Sequence, residues 1–464
     1  MKIFDSMKKF IMEASVIVLT VILAVGVMDY CGTFVFDDPN NHNEKRWNHL
    51  YAITEKNDID ILILGNSHAY TGILPKQLSC NLGRTCFVLA SGGTYSTDAY
   101  HMLKEALTRT TPEVVVIETY MMREHKQKEL KKGDLSDQIK SFDARKSIGK
   151  KLLSTPQLFD WEVAPYAWST TLRNHNFIFD GQQMKKCLKK VKHPAERLYL
   201  GRYIRFNSGL TQKTLDRYAA DGAPVEGKDM KVGKEAAESV EDILRLCDRK
   251  GIKVMFLTLP MYKDHVADYD IWKGYMSEVI GDRAWLDLQN DPYFGPESFE
   301  DTYKDNQHMT YTGALKANDR LTSFIRNEFP ELKPRYGDRK WVNMFYAEDG
   351  FYENMSPPAN DKKARVYARN QVSKEGLGVI ELLSCIGYNG TEQFICKVSR
   401  KSTGDNPPTE MKIVAGIADQ NGKKSTVMVP LRLSPGFGHL DYHVYTARMR
   451  RGTRILSAAM MDNR

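Results

Sequence analysis

The chain has 464 residues, 42% of them hydrophobic and 27% charged, a balance that fits a folded protein and excludes a disordered or fibrous one. Its length implies two domains, or one large domain with insertions. The formal net charge of +8 is a modest basic excess spread along the chain, which suits a membrane surface or an anionic glycan and gives no reason to expect nucleic-acid binding.

At the N-terminus, Lys2, Lys8 and Lys9 precede an apolar run from Phe10 to Met28 broken only by Glu13. That is about 19 residues, close to the number a helix needs to cross hydrocarbon. Residues 1–30 are therefore expected to be a cytoplasmic stub and transmembrane signal-anchor, with the lysines inside and Asp29 onward outside. A cleaved signal peptide is the rival reading, with Ala24-Val25-Gly26 as the processing site. Residues 31–57 read as a polar juxtamembrane linker.

Strand and helix signals then alternate. Ile59 to Leu64 is a short, β-rich apolar run ending in Gly65-Asn66-Ser67-His68. Cys86 to Ala90 is a second strand, followed by Ser91-Gly92-Gly93; Ser96 to Arg109 has helical spacing; Pro112 to Glu118 contains a third strand in Val114-Val115-Val116-Ile117. The alternation pauses between about 121 and 230, where lysine-rich stretches mix with aromatic ones such as Tyr166-Ala167-Trp168, and this segment reads as an insertion carrying lid or substrate contacts. Its lysine cluster from Lys185 to His193 reads as a solvated helix face, with anionic-ligand binding as the lesser alternative. Lys234 to Lys250 is a helix, Val254 to Leu259 a strand, Trp285 to Leu288 a shorter strand, and Thr310 can cap a last helix running to about Asn327. The fold class expected for residues 58–335 is thus α/β with a doubly wound parallel sheet. From 340 to 464, short strand-like runs between Pro-Pro, Asn-Gly and other Gly turns predict a β-sandwich.

Of the seven cysteines, Cys80 with Cys86 and Cys385 with Cys396 are candidate disulfides, the second pair placed symmetrically about Tyr388-Asn389-Gly390-Thr391 as in a β-hairpin. No Cys-His spacing points to a metal site, and no cofactor is expected.

A serine at the end of a buried strand stands where open α/β sheets bind ligands, although Asn66 or Ser67 serving simply as a helix N-cap explains the same residues. A serine hydroxyl needs a base, and the base an orienting carboxylate. Asp305 and His308, three apart on one loop before the last helix, supply that pair. Gly65-Asn66-Ser67-His68 after the first strand, Gly92-Gly93 after the second, and Asp305-x-x-His308 together resemble the SGNH/GDSL hydrolase superfamily, with Asn66 standing where the first block usually has Asp.

The resemblance implies a Ser67–His308–Asp305 triad and an oxyanion hole of the Ser67 amide, the Gly92 or Gly93 amide and a third donor. That donor is an asparagine in the family. This chain has Glu118-Thr119-Tyr120 instead, with Thr119 as the candidate replacement. In lacking that block the chain is similar to membrane-anchored cell-envelope proteins of alginate O-acetylation and teichoic-acid D-alanylation. This implies an extracytoplasmic polysaccharide O-acyltransferase of a bacterial cell membrane, taking acyl groups from a membrane-bound O-acyltransferase partner. A surface carbohydrate esterase and a non-catalytic glycan-binding scaffold are the alternatives. His68, Glu118 and Tyr120 are candidate pocket residues beside the nucleophile, and Arg173 and His175 resemble an Arg/His element of the same envelope proteins. The 340–464 domain would be carbohydrate-binding.

Overall fold

The computed structural model describes residues 2–36, 42–55, 58–123, 136–189, 197–199, 202–204, 217, 220, 231–261, 269–289, 291–292, 294, 307–309, 311–335 and 338, with the strands 364–366, 370–374, 378–388, 393–401, 409–419, 421–433 and 454–462. The chain divides into two compact units, one of residues 1–44 with 126–193 and the other of residues 45–125 with 194–464.

The second unit is built on a five-stranded parallel sheet. Its strands are β1 (Ile61–Gly65), β2 (Cys86–Ala90), β3 (Val114–Glu118), β6 (Lys253–Thr258) and β7 (Trp285–Asp287), in the order β2-β1-β3-β6-β7. The first three are the uninterrupted apolar runs of the sequence, and every residue in them is buried. Such runs suit a parallel sheet covered on both faces. Ile61, Ile63, Val88, Val114, Val116, Met255 and Leu257 face one way. They pack on α3 (Ser67–Gly72), α4 (Pro75–Leu82) and α14 (Tyr311–Glu328), which contributes Ala317, Leu321 and Ile325. Leu62, Leu64, Phe87, Leu89, Val115 and Ile117 alternate to the other face. There His49 of α2 (His42–Thr54) meets the Phe87 ring edge-on at 5.7 Å. On the same unit α5 (Ser96–Ala106) and α12 (Lys234–Asp248) are joined by Thr97 and Ser239, whose hydroxyls lie 3.0 Å apart.

The strand order reverses once. From β1 the chain goes out to β2, comes back across β1 to β3, and then continues to β6 and β7. The gap between the carboxyl ends of β1 and β3 is therefore the switch point, where loops diverge and open α/β sheets have their crevice.

Residues 31–57 differ from the linker expected. The first helix, α1, runs from Lys2 to Phe36, and α2 follows it. Trp47, Leu50 and Ile53 of α2 recur at three-residue spacing and are all buried, so the segment is a core helix beneath a polar composition. Within α1, Ser6–Phe36 is long and apolar enough to cross a membrane, and its apolar window is wholly exposed.

The insertion forms the helices α6 (Ser136–Ala144), α7 (Ile148–Leu158), α8 (Ala164–Trp168), α9 (Thr170–Arg173), α10 (His175–Ile178) and α11 (Gly181–Lys189), and a small hairpin, β4 (Arg197–Tyr199) and β5 (Arg202–Ile204), follows it. Ile139, Phe142, Leu158, Phe159, Val163 and Ala167 make a separate core for α6–α8.

Past the last helix, β8 (Ala364–Val366), β9 (Asn370–Lys374), β10 (Gly378–Tyr388) and β11 (Gln393–Lys401) form one antiparallel sheet, and β12 (Thr409–Ala418), β13 (Lys424–Leu433) and β14 (Arg454–Asp462) another. Cys385 lies directly opposite Cys396 in the β10–β11 register, as the symmetric spacing predicts for a hairpin. The Cys80–Cys86 bridge, in contrast, is not formed. Cys86 is a free thiol inside the sheet core, its Sγ 3.7 Å from the Arg84 carbonyl, and burial pushes that thiol up from its ordinary value. Its place in β2 is set by the strand, which turns the side chain into the core.

Candidate functional site

Ser67 follows β1 by two residues and opens α3. Asn66 is the N-cap, its side-chain oxygen accepting from the His68 amide at 2.9 Å. The capping role is thus real but belongs to Asn66, leaving the Ser67 hydroxyl outside it. From Ile61 to Pro75 every residue is buried except Ser67, which is partly exposed. The turn therefore opens at one side chain, and that side chain is the hydroxyl.

Close packing sets the turn. A Cβ on Gly65 would lie 2.6 Å from the Ala69 Cβ and 2.8 Å from the Glu118 Cβ. Neither atom can swing aside, because both are fixed by their backbones. Gly65→Ala is expected to cost about 1–3 kcal/mol through overpacking and to shift the Ser67 turn. A chemical-denaturation midpoint equal to that of the wild type would show that this close approach is not obligatory.

The second strand ends level with the first. Gly65 pairs with Ala90 in register, and the Ser91 amide donates to the Gly65 carbonyl at 3.3 Å. Gly92 and Gly93, both partly exposed, thus stand at the same carboxyl edge as Ser67. Gly93 has φ +69°, a left-handed conformation that favours glycine and turns the chain into α5. One residue here escaped the sequence reading. Arg46 of α2, 1% exposed, donates to the Ala90 carbonyl just before the glycines, and its guanidinium stands 4.9 Å over the Tyr70 ring. Burial lowers its pKa to about 10. Only the tertiary position of a helix that looked like a linker brings it there.

At the end of β3, Glu118 is 1% exposed and accepts from the Tyr120 amide at 2.9 Å, capping the 3-10 turn Thr119–Met122. Burial pushes its carboxyl up to about 8, against the opposing pull of the Tyr120 amide, Arg123 and the Asn66 amide. Thr119 is fully buried, and its hydroxyl lies 2.7 Å from that of Thr258, which in turn accepts from Trp285 Nε1 at 3.0 Å. The Thr119 side chain is thus engaged along the sheet edge toward β6 and β7.

A column of rings closes the site. His68 stacks on Tyr120 with centroids 4.0 Å apart and planes 12° from parallel, and the Arg123 guanidinium stands 4.7 Å from the Tyr120 centroid. Trp272 of α13 (Tyr269–Ile280) meets the Tyr120 ring edge-on at 5.9 Å. His308 meets His68 edge-on at 5.2 Å, and Gln307 Oε1 is 3.5 Å from His68 Nε2. The loop before α14, 240 residues later in the chain, therefore returns His308 to the residue that follows Ser67. Asp305 lies outside the described residues. Among the described residues no group of three or more metal-ligating side chains occurs.

Arg173 and His175 belong to the other unit and are occupied there. Arg173 bonds the carbonyls of Tyr166 and Ala167 at 3.0 and 3.3 Å and pairs with Asp143 at 2.7 Å. His175 Nδ1 lies 2.6 Å from the Leu172 carbonyl. These contacts hold α6, α8 and α9 together, which is a role within the helical insertion.

No known protein-family pattern matches the chain, and no curated protein matches it. Among solved structures, the lipase Lip_vut3 from a goat rumen metagenome is 10% identical, with 57% of this chain and 97% of that chain covered and a TM-score of 0.27. β-Glucosidase 3B from Thermotoga neapolitana in complex with glucose is 8% identical, with 92% and 89% covered and a TM-score of 0.10. Likenesses this low leave the functional reading to the chain's own residues.

Proposed function

We propose that the chain is a membrane-anchored serine O-acyltransferase that acts on an exported polysaccharide, with the doubly wound SGNH-like unit as its catalytic part. The observation that carries this reading is the single opening of the Ser67 turn at the switch point, with His308 returned beside it. In the proposed reaction His308 takes the proton of the Ser67 hydroxyl as Oγ attacks the donor's acyl carbonyl. The Ser67 amide and a Gly92 or Gly93 amide hold the oxyanion. Collapse transfers the proton from His308 to the leaving group and leaves an acyl ester on Ser67. A glycan hydroxyl then attacks that ester, giving its proton to His308, and collapse breaks the bond to Ser67 Oγ, which takes the proton back from His308 and leaves the acyl group on the glycan. Asp305, three residues before His308, is the proposed orienting carboxylate.

The setting is proposed on the same footing. The apolar run from Phe10 to Met28 of the helix Ser6–Phe36 spans the membrane with the lysine end in the cytoplasm, which puts the chemistry outside. Acyl groups come from a membrane-bound O-acyltransferase, and the two antiparallel sheets after residue 360 form a glycan-binding β-sandwich braced by a Cys385–Cys396 disulfide.

The test pairs covalent trapping with glycan analysis. A fluorophosphonate is expected to label Ser67, and Ser67→Ala is expected to lose the label and to cut acyl transfer by at least about a thousandfold. Mass spectrometry of surface glycan from a Ser67→Ala strain is expected to show lost acyl groups. Excess acyl groups would make the protein an esterase, and a folded protein that takes no label would make it a non-catalytic binder.

A further inference from the structure

The apolar run of α1 ends at Met28, and the next residue, Asp29, is where the helical insertion takes hold of it. Asp29 Oδ1 accepts from the Ser169 hydroxyl at 2.8 Å and from the Thr171 amide at 2.9 Å, at the start of α9. The Thr171 hydroxyl donates to the Met28 carbonyl at 3.0 Å. One turn on, Gly32 is buried so closely against α9 that a Cβ would sit 2.0 Å from Thr171 Oγ1. Three polar contacts and a glycine crossing thus tie the start of α9 to one height on α1. That height is where Asp29 ends the uninterrupted apolar run, ahead of the last turns of α1.

Side-chain contacts join the rest of the insertion to that point. Arg173 joins α9 to Asp143 of α6. Trp168 Nε1 of α8 donates to Thr155 of α7 at 2.9 Å, and its ring meets Phe142 of α6 edge-on at 5.4 Å. With Ser154 and Leu158 of α7 buried inward, Ile148, Leu152 and Leu153 face outward at 68%, 58% and 71% exposure. The helix that follows α9 adds Phe177 and Phe179, the latter 89% exposed. Ile148, Leu152 and Leu153 lie within two turns of one helix, and apolar residues grouped in this way mark a surface that meets a membrane or another protein. Residues 136–189 also carry nine Lys and Arg against five Asp and Glu, and Lys185 and Lys189 are exposed on α11, which lies against α1.

We infer that the insertion α6–α11 is a membrane-seating collar, lying on the outer leaflet around the emerging anchor, with the outer face of α7 and the Phe177/Phe179 pair in the boundary between headgroups and acyl chains. Apolar residues on one side and lysines at its margin are the composition of a helix that lies in the interface, where anionic headgroups meet the lysines. The occupant is lipid because α9 and α11, on either side of the helix that carries Phe177, pack on α1, whose apolar run lipid covers in the proposed crossing, and because the exposed lysines of α11 match anionic headgroups. The inference rests on the proposed membrane crossing of α1 and adds to it that a second, extramembrane element touches the bilayer. It gives the lysine-rich α11 a partner in place of bare solvent.

The full-length protein in nanodiscs of phosphatidylcholine and phosphatidylglycerol, carrying a phospholipid with a photoactivatable group near its headgroup, tests this directly. Irradiation and peptide mapping are expected to place lipid adducts on α1 and on α7 at Ile148, Leu152 or Leu153, several-fold above the charged outer face of α12. Leu152→Gln/Leu153→Gln is expected to lose the α7 adducts while keeping those on α1. Adducts on α1 with none on α7 or Phe177/Phe179 in the wild type would overturn the collar, leave the anchor standing, and assign the face to a protein partner. Absence of adducts on α1 itself would overturn the anchor and the collar together.

Discussion

Replacing Glu118 by glutamine is expected to stabilise the α/β unit at alkaline pH and to flatten its dependence on pH. Glu118 is buried at the end of β3, and burial pushes its carboxyl up to about 8 from an ordinary value of 4.5. Between those two values the native state keeps a proton that the unfolded chain releases. Stability therefore falls as pH rises through that window, is full below it, and is flat above it. A tenfold change in proton affinity corresponds to about 1.4 kcal/mol, so the effect is on the order of a few kcal/mol. Glutamine keeps the volume and the carbonyl that accepts from the Tyr120 amide, but has no proton to lose. Native-state hydrogen exchange of the β1 and β3 amides, compared between wild type and variant at each pH, reads this unit separately from the rest of the chain. The variant is expected to gain protection relative to wild type by about pH 9 and to lose that advantage by about pH 5. A wild-type-to-variant difference that does not change with pH would mean that Glu118 is ionised in the folded protein.

The second large effect is at the opposite edge of the sheet. Asp60→Ala is expected to destabilise the same unit by about 2–4 kcal/mol, because it takes a buried carboxylate from Arg335 and Arg84, leaving them only Asp338 and Glu113, and takes the acceptor of the Thr85 amide. Asp60 is 3% exposed. Its Oδ1 lies 2.7 Å from Arg335 Nη1 and 3.7 Å from Arg84 Nη1, and its Oδ2 accepts from the Thr85 amide at 2.7 Å. Its backbone carbonyl accepts from the Glu113 and Val114 amides at 2.8 and 3.1 Å. One residue thus joins the amino ends of β1, β2 and β3 to the segment that follows α14. The figure is set at the lower part of the range for buried pairs because the Arg335 side chain is 26% exposed and keeps Asp338 at 3.4 Å. Urea denaturation of Asp60→Ala and Asp60→Asn separates the contributions. Asparagine retains an acceptor for the Thr85 amide and is expected to lose less. Equal losses would attribute the effect to the carboxylate charge and its arginine pairs alone, and no loss in either variant would remove Asp60 from the account of stability.

Much of the sheet was legible because its strands are uninterrupted apolar runs bounded by turns. Cys86–Ala90 could be placed to the residue, and β1 and β3 nearly so. In the C-terminal region the turn signals showed that short strands follow one another, but not their bounds. Helix α2 was hidden by composition. Its buried Trp47, Leu50 and Ile53 are outnumbered by polar neighbours, and two of those, Arg46 and His49, are themselves buried by the sheet. The Cys80–Cys86 expectation failed for a related reason. Closeness in sequence does not set side-chain direction, and β2 directs Cys86 into the core.

For the candidate site, the sequence alone determined the chemistry on offer: a hydroxyl after a buried strand, two glycines after the next, and an imidazole on a loop before the last helix. These are local facts, written in runs of a few residues where a strand must end and a turn must begin. Tertiary structure decided which of them meet. The reversal of strand order put the ends of β1 and β3 at one crevice, which made Glu118 and Tyr120 neighbours of Asn66 and His68. It brought His308 across 240 residues of chain to the edge of His68, and it held Arg173 and His175 within the helical insertion. Such pairings depend on crossover direction and on the packing of whole helices, and neither is encoded in any short window of sequence.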